Sequence, residues 1–87
     1  MAKITLKLPH SLSREALDLD VVRLDEVPSL IREVDAKIYD ALYFEVDSKS
    51  LVKPYASMFV NGRIYFGNDR NLVDGDRLEI IFAIAGG

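Results

Sequence analysis

Cysteine is absent from the 87-residue chain. That excludes disulfides, thiolate metal sites and cysteine nucleophiles, so any handling of sulfur has to use something other than a side-chain thiol. Histidine is nearly absent too. His10 stands alone in a loop, with no second imidazole or thiol to complete a typical metal shell, and it reads as a solvated side chain with no metal site implied. Basic charge is thin. The net charge is −3 and no two basic residues are adjacent, so the chain lacks the basic face that a nucleic-acid binder uses to neutralise phosphates. Aromatic residues are not interleaved with basic ones, which leaves base stacking without support. Gly62, Gly67 and Gly75 are too dispersed to cradle a phosphate. No apolar run approaches the ~20 residues that span a bilayer. Met1-Ala2-Lys3-Ile4-Thr5 alternates where a signal peptide would be continuously apolar. No membrane association is expected, and a cytoplasmic location is.

What the chain has in quantity is apolar residues, 49%, against 29% charged. That balance belongs to a globular domain. The length suits one domain, which hides only about 60–65% of its unfolded surface, so nearly every apolar residue has to serve the core.

The apolar residues are placed with two different periods. Ile4, Leu6 and Leu8 alternate with Lys3, Thr5 and Lys7, which predicts a half-buried strand ended by Pro9. Ala16 to Leu24 offers a second strand, with Leu17, Leu19 and Val21 alternating with Asp18 and Asp20, and so an N-terminal hairpin. Val27, Leu30, Ile31, Val34, Ile38 and Leu42 then fall at steps of three and four, one face of a helix with Pro28 in its first turn and Asp25 or Glu26 at its start. Tyr39 to Val46 reads as its last turns or a second short helix, and Asp47 to Lys53 as a polar loop. From Tyr55 alternation returns, with Ala56, Met58 and Val60 opposite Tyr55, Ser57 and Phe59. Asn61-Gly62 follows, the strongest short hairpin signal because both residues accept positive φ. Arg63 to Phe66 resumes the strand, Asp74-Gly75-Asp76 marks a turn, and Arg77 to Ile84 forms a last strand. Asp18, Asp20, Asp74 and Asp76 are explained by solubility and turn formation better than by a cation site. The order is strand, strand, helix, strand, strand, strand. It predicts an α+β sheet with a helix on one face and the apolar first and last strands side by side at the centre.

That last strand runs into Ala85-Gly86-Gly87. Glycine has no Cβ, so such a tail can thread a narrow channel and deliver its carboxylate to another enzyme's nucleotide site. Attack of the carboxylate on the α-phosphate of ATP gives an acyl-adenylate, which sulfur or another nucleophile can displace. The carrier itself needs no acid, base or metal for this. An idle, frayed end is the plainer alternative.

Three segments carry a family resemblance: Phe59-Val60-Asn61-Gly62, Leu72-Val73-Asp74-Gly75-Asp76, and Leu78-Glu79-Ile80-Ile81-Phe82-Ala83-Ile84-Ala85-Gly86-Gly87. In this order, and with the last at the end of the sequence, they resemble the MoaD/ThiS family of sulfur carriers. The opening strand and the helix from Val27 fit the same plan. The resemblance implies an α+β, ubiquitin-like β-grasp fold, a mixed sheet of about five strands with one main helix on one face. Residues 1–85 would form one domain, with Gly86 and Gly87 as a flexible tail. Leu51-Val52-Lys53-Pro54-Tyr55 looks more like MoaD than the shorter ThiS pattern. The MoaD-like pattern often carries prolines before its terminal glycines, where this chain has Ala83-Ile84.

By that resemblance the chain is a carrier and not itself an enzyme, and it binds no cofactor of its own. An E1-like enzyme would use ATP to adenylate Gly87, which a sulfur donor such as a desulfurase would convert to a thiocarboxylate. Ile84, Ala85 and Gly86 would thread into the partner. The sulfur would pass to a MoaE-type large subunit in molybdopterin synthesis, with thiamine thiazole and cysteine as the other family products. A ubiquitin-like modifier forming isopeptide bonds would use the same tail. So placed, Phe59, Ile81 and Ala83 lie on the outer sheet face, where the family analogy implies partner docking.

Overall fold

The computed structural model describes residues 1–67 and 69–82. Along the chain run β1 (Ala2–Lys7), β2 (Leu17–Val21), a 3-10 turn at Leu24–Glu26, α1 (Val27–Val34), α2 (Ala36–Leu42), β3 (Tyr43–Val46), β4 (Lys49–Val52), β5 (Ala56–Val60), β6 (Arg63–Ile64) and β7 (Arg77–Phe82). β1 and β2 pair antiparallel with Ile4 opposite Leu19 and Leu6 opposite Leu17. β7 lies parallel to β1, Leu6 opposite Leu78, and antiparallel to β5, Met58 opposite Ile80. The sheet order is therefore β2-β1-β7-β5-β6, with the first and last strands adjacent at its centre as their apolar character predicts. Across β2, β1, β7 and β5 the inward pairs set apolar against apolar on the same face. That face shares one buried cluster with Val27, Ile31, Ile38 and Leu42 of the helices. This is the β-grasp arrangement, a mixed five-stranded sheet with its helical layer on one side.

Three segments differ from the sequence reading. The helical stretch breaks at Asp35, whose backbone is extended and whose carboxylate accepts the Lys37 N–H at 2.9 Å. A short acidic side chain competes for backbone donors in this way and favours helix starts over helix interiors. The break also explains why Val34, on the expected apolar stripe, is 57% exposed. Of the two readings of Tyr39 to Val46, a second short helix is present, but it ends at Leu42.

The expected polar loop is half of a hairpin, β3 and β4, registered from Tyr43 opposite Val52 to Val46 opposite Lys49. Its turn residues, Asp47 and Ser48, both have positive φ, 51° and 64°. Such a turn is usually announced by glycine, and without one the signal was missing. Finally, β6 is confined to Arg63 and Ile64, where Arg63 to Phe66 was expected, and β2 ends at Val21, short of Leu24.

Asn61-Gly62 makes the expected hairpin, with φ of 51° and 82°. The Asn61 side chain does more than permit the turn. Its Oδ1 accepts the Arg77 N–H at 2.8 Å, and its Nδ2 donates to the Asp76 carboxylate at 2.9 Å. Asp76, only 8% exposed, also accepts the Val73 N–H at 2.9 Å. The neighbouring Gly75 N–H donates to the Lys3 carbonyl, and the Thr5 N–H to the Asp76 carbonyl. Two turns and the start of β1 are thus tied together at the edge where β7 begins.

Burial is the largest single influence on the Asp76 carboxyl and pushes its pKa up. The bonds from Asn61 and Val73 and the nearby Arg70 charge outweigh it, and the net shift is downward. A carboxyl lowered on folding adds stability that is fully present above its unfolded value of about 3.9 and is lost as pH falls through the folded value. Replacing Asp76 with Asn should destabilise the fold at pH 7 by about 1–3 kcal/mol. It should also flatten the decline of stability below about pH 4. Urea unfolding at several pH values measures both, and equal profiles for the two proteins would contradict the assignment.

Candidate functional site

Because Leu78 and Ile80 face the helices, strict alternation turns Glu79 and Ile81 to the other side, and the same parity turns Ser57 and Phe59 outward. Register decides which of these meet. Phe59 sits opposite Glu79 on β7 and opposite Ile64 on β6, while Ile81 sits opposite Ser57 and so diagonal to Phe59. Phe59, Ile64 and Ile81 are therefore neighbours on the outer face. Ile64 is 47% and Ile81 37% exposed, and Phe59 is half-buried. Glu79 lies beside Phe59 and opposite Lys7, so charge borders the apolar group.

Ile64 was missed in the sequence. A two-residue Asn-Gly loop fixes Val60 opposite Arg63 and Phe59 opposite Ile64, so counting back across the turn would have found it.

The strand that leads to the C-terminal residues is held on both sides. Its first half pairs with β1, and Leu78 to Phe82 pair with all of β5. At its end the Phe82 ring meets that of Tyr55, centroids 5.7 Å apart, and the Tyr55 hydroxyl donates to the Ala41 carbonyl at 3.0 Å. Beside this end lies a hollow of about 300 Å³ lined by Leu8, Pro9, His10, Glu79, Ile81 and Phe82. Ala83, Ile84, Ala85, Gly86 and Gly87 lie outside the described residues.

His10 is exposed, and among the described residues no group of three or more His, Asp or Glu side chains is placed to hold a metal. Asp74 and Asp76 are occupied in turn bonds: Asp74 accepts the Lys3 N–H at 2.8 Å. The face described here has an apolar centre bordered by the Glu79 and Lys7 charges, beside a strand end anchored on both sides.

No protein-family model matches the sequence, and no curated protein does. Solved structures do resemble the fold. The small archaeal modifier protein 1 (SAMP1) from Methanosarcina acetivorans superposes with a TM-score of 0.81 at 18% identity, covering 100% of this chain and 98% of its own. The Haloferax volcanii HVO 2177 protein gives 0.71 at 20% identity, over 99% and 87%. Urm1 from Trypanosoma brucei gives 0.61 at 21%, over 98% and 95%. The fold is the ubiquitin-like β-grasp.

The two sheet faces should respond differently to substitution. Ile64→Glu, on the outer face, should change stability by no more than about 0.5 kcal/mol. Ile80→Ala, at a fully buried position, should cost about 2–5 kcal/mol. Denaturant unfolding compares them directly, and similar losses in both would mean that the outer face is not a free surface.

Proposed function

We propose that this chain is a sulfur carrier whose Gly87 carboxylate is the working group. The observation that carries the reading is β7 itself: a strand held on both sides, beside an apolar outer face, that continues in sequence into Ala83-Ile84-Ala85-Gly86-Gly87. A carrier needs a fixed body for recognition and an end free of bulky side chains for delivery.

In this reading an E1-like enzyme docks on Phe59, Ile64, Ile81 and Ala83 while Ile84, Ala85 and Gly86 thread toward its bound ATP. One carboxylate oxygen of Gly87 attacks the α-phosphorus and pyrophosphate leaves. A sulfur nucleophile supplied by a desulfurase then attacks the acyl carbon of the adenylate and AMP leaves. That nucleophile is a persulfide, so the adduct is an acyl disulfide. A thiol reductant attacks the donor sulfur, the S–S bond breaks, the donor leaves in a mixed disulfide, and Gly87 is left as a thiocarboxylate. That sulfur is a better nucleophile than the original oxygen and is delivered to an acceptor. The resemblance to MoaD makes a MoaE-type subunit and molybdopterin synthesis the preferred destination. All of this takes place in the cytoplasm.

A second reading has a specific observation behind it. The solved neighbour with a TM-score of 0.81 is named a modifier protein. The same adenylate attacked by a lysine amine gives an isopeptide bond in place of a thiocarboxylate, so both readings share every step up to activation.

Incubation with a competent activating enzyme, ATP and a sulfur donor should raise the intact mass by the difference between sulfur and oxygen. Absence of that product with an enzyme proven active on another carrier would remove the sulfur reading. Remnants of the tail on lysines in cell lysate would favour the modifier. Deleting Gly87 should leave the unfolding midpoint unchanged and abolish activity. Ile81→Asp should weaken the activating-enzyme complex by about tenfold or more, since interface centres carry most of the binding energy. Unchanged affinity would count against the docking face. The reading also requires that the native chain ends at Gly87, as synthesised or after cleavage, which its intact mass in the cell decides.

A further inference from the structure

On the side of β5 away from β7 the sheet stops short. Among the described residues, β6 pairs only with Phe59 and Val60. One further bond runs from the Tyr65 N–H to the Met58 carbonyl at 2.9 Å. Among the described residues no strand pairs with Ala56 and Ser57 on that side, where the Ala56 N–H donates to the Lys53 carbonyl at 2.9 Å and leaves the Ala56 carbonyl to the open edge. Along this open stretch, between the sheet edge and the β3–β4 hairpin, runs a groove of about 430 Å³ walled by Phe44, Leu51, Pro54, Met58, Ile64 and Phe66. Phe44, Leu51 and Ile64 are each more than a third exposed, and Phe66 is 84% exposed. Single exposed apolar residues are ordinary, but four converging on one groove are the mark of a binding surface.

The two sheet edges are also dressed differently. The β2 edge carries Asp18 and Asp20, both exposed, and such charges discourage strand addition. Among the described residues no carboxylate lines the groove beside β5. Its charged lining group is Lys53, and Arg63 adjoins Ile64 at the β6 wall. In a chain of net charge −3 this is a local reversal of sign.

We propose that this groove receives an extended segment of a partner protein, which adds as a strand along Ala56–Met58. Alternate aliphatic side chains of the segment enter the apolar groove, and an acidic residue flanking them lies toward Lys53. Main-chain bonds supply the docking and the alternate pockets and the cation supply the choice, as in other strand-addition interfaces. The groove shares Ile64 with the proposed activating-enzyme face but takes no part in the activation chemistry.

Titration of the isotopically labelled full chain with a short peptide, isoleucine alternating with threonine and aspartate at one end, tests the proposal by NMR. Shifts should concentrate at residues 56–58, 64–66 and 51. Replacing the aspartates by lysine, or the central residue by proline, should weaken binding by about tenfold, since proline donates no backbone bond and lysine meets like charge. Phe66→Ser should weaken it by a similar factor without moving the unfolding midpoint. The proposal is overturned if the three peptides bind alike, if the shifts centre on β2, if Phe66→Ser binds unchanged, or if no shift appears. It is equally overturned if the same residues broaden with concentration in the peptide-free protein, which would make a second copy the occupant.

Discussion

The pairing of β7 on both sides is the constraint from which the other features follow. Leu78 and Ile80 are 1% and 0% exposed; Leu78 stands opposite Leu6 of β1 and Val60 of β5, and Ile80 opposite Met58 of β5. Fully burying side chains of this size stabilises by about 1.5–3 kcal/mol each. The strand that completes the core is also the last strand among the described residues. The fold therefore cannot form without fixing the point from which the C-terminal residues depart, and that point cannot shift without disturbing the core. For a molecule proposed to work through its last residue, this couples the position of the reactive group to global stability.

The hydrogen bonds around Asp76 act at the opposite end of the same strand. β1 and β7 are parallel, so no tight turn can join them, and their register has to be set by other means. Asn61 holds the first N–H of β7, Asp76 holds Asn61, and the Gly75 and Thr5 amides tie this turn to β1. A slip of one residue would turn Leu78 and Ile80 outward and bring Ile81 into the core. The buried carboxylate thus stabilises a particular register as well as a fold, and the outer-face identity of Phe59 and Ile81 rests on it.

The parts of this architecture that were legible in the sequence are those in which one signal acts alone. Alternation over Ile4-Leu6-Leu8 and Leu78-Ile80-Phe82 allows one face only, and Asn61-Gly62 allows one turn. The two hairpins and the central pairing of β1 with β7 were accessible from these, while the pairing of β5 with β7 was not. The break at Asp35 was hidden because the apolar stripe continues past it through Ile38 and Leu42, while the competing signal is a single capping side chain. The β3–β4 hairpin was hidden for the opposite reason. Glu45, Ser50 and Lys49 dilute its alternation, and Asp47-Ser48 adopts positive φ without the glycine that announces it. Of the site, the outward parity of Phe59 and Ile81 was readable from strand alternation. Ile64 needed the register across the turn, and the groove beside β5 needed the hairpin that the sequence concealed. The last five residues, which carry the chemical proposal, remain a reading of sequence.

The concealed hairpin matters because of what it does to the sheet edge. Among the described residues, a two-residue β6 leaves Ala56 and Ser57 without a paired strand on the flank away from β7, an arrangement that invites uncontrolled pairing unless something covers or disfavours it. β3 and β4 do not complete the sheet; they form a separate two-stranded sheet and stand across a gap from it. The groove exists because of that separation, and Phe44 and Leu51, opposite one another in the hairpin, form its far wall. Ile64 belongs to this groove and also to the outer-face group with Phe59, so the two surfaces meet at one residue. A segment seated along Ala56–Met58 would lie in the plane of the sheet, whereas a partner on Phe59 and Ile81 would lie against its face. The directions differ by about a right angle, as backbone and side chains do in any strand. Occupation of the edge would extend the sheet beside β5 and leave the strand feeding Gly87 untouched on the opposite flank. A domain this small can in this way hold a partner at its edge while its terminus is presented elsewhere.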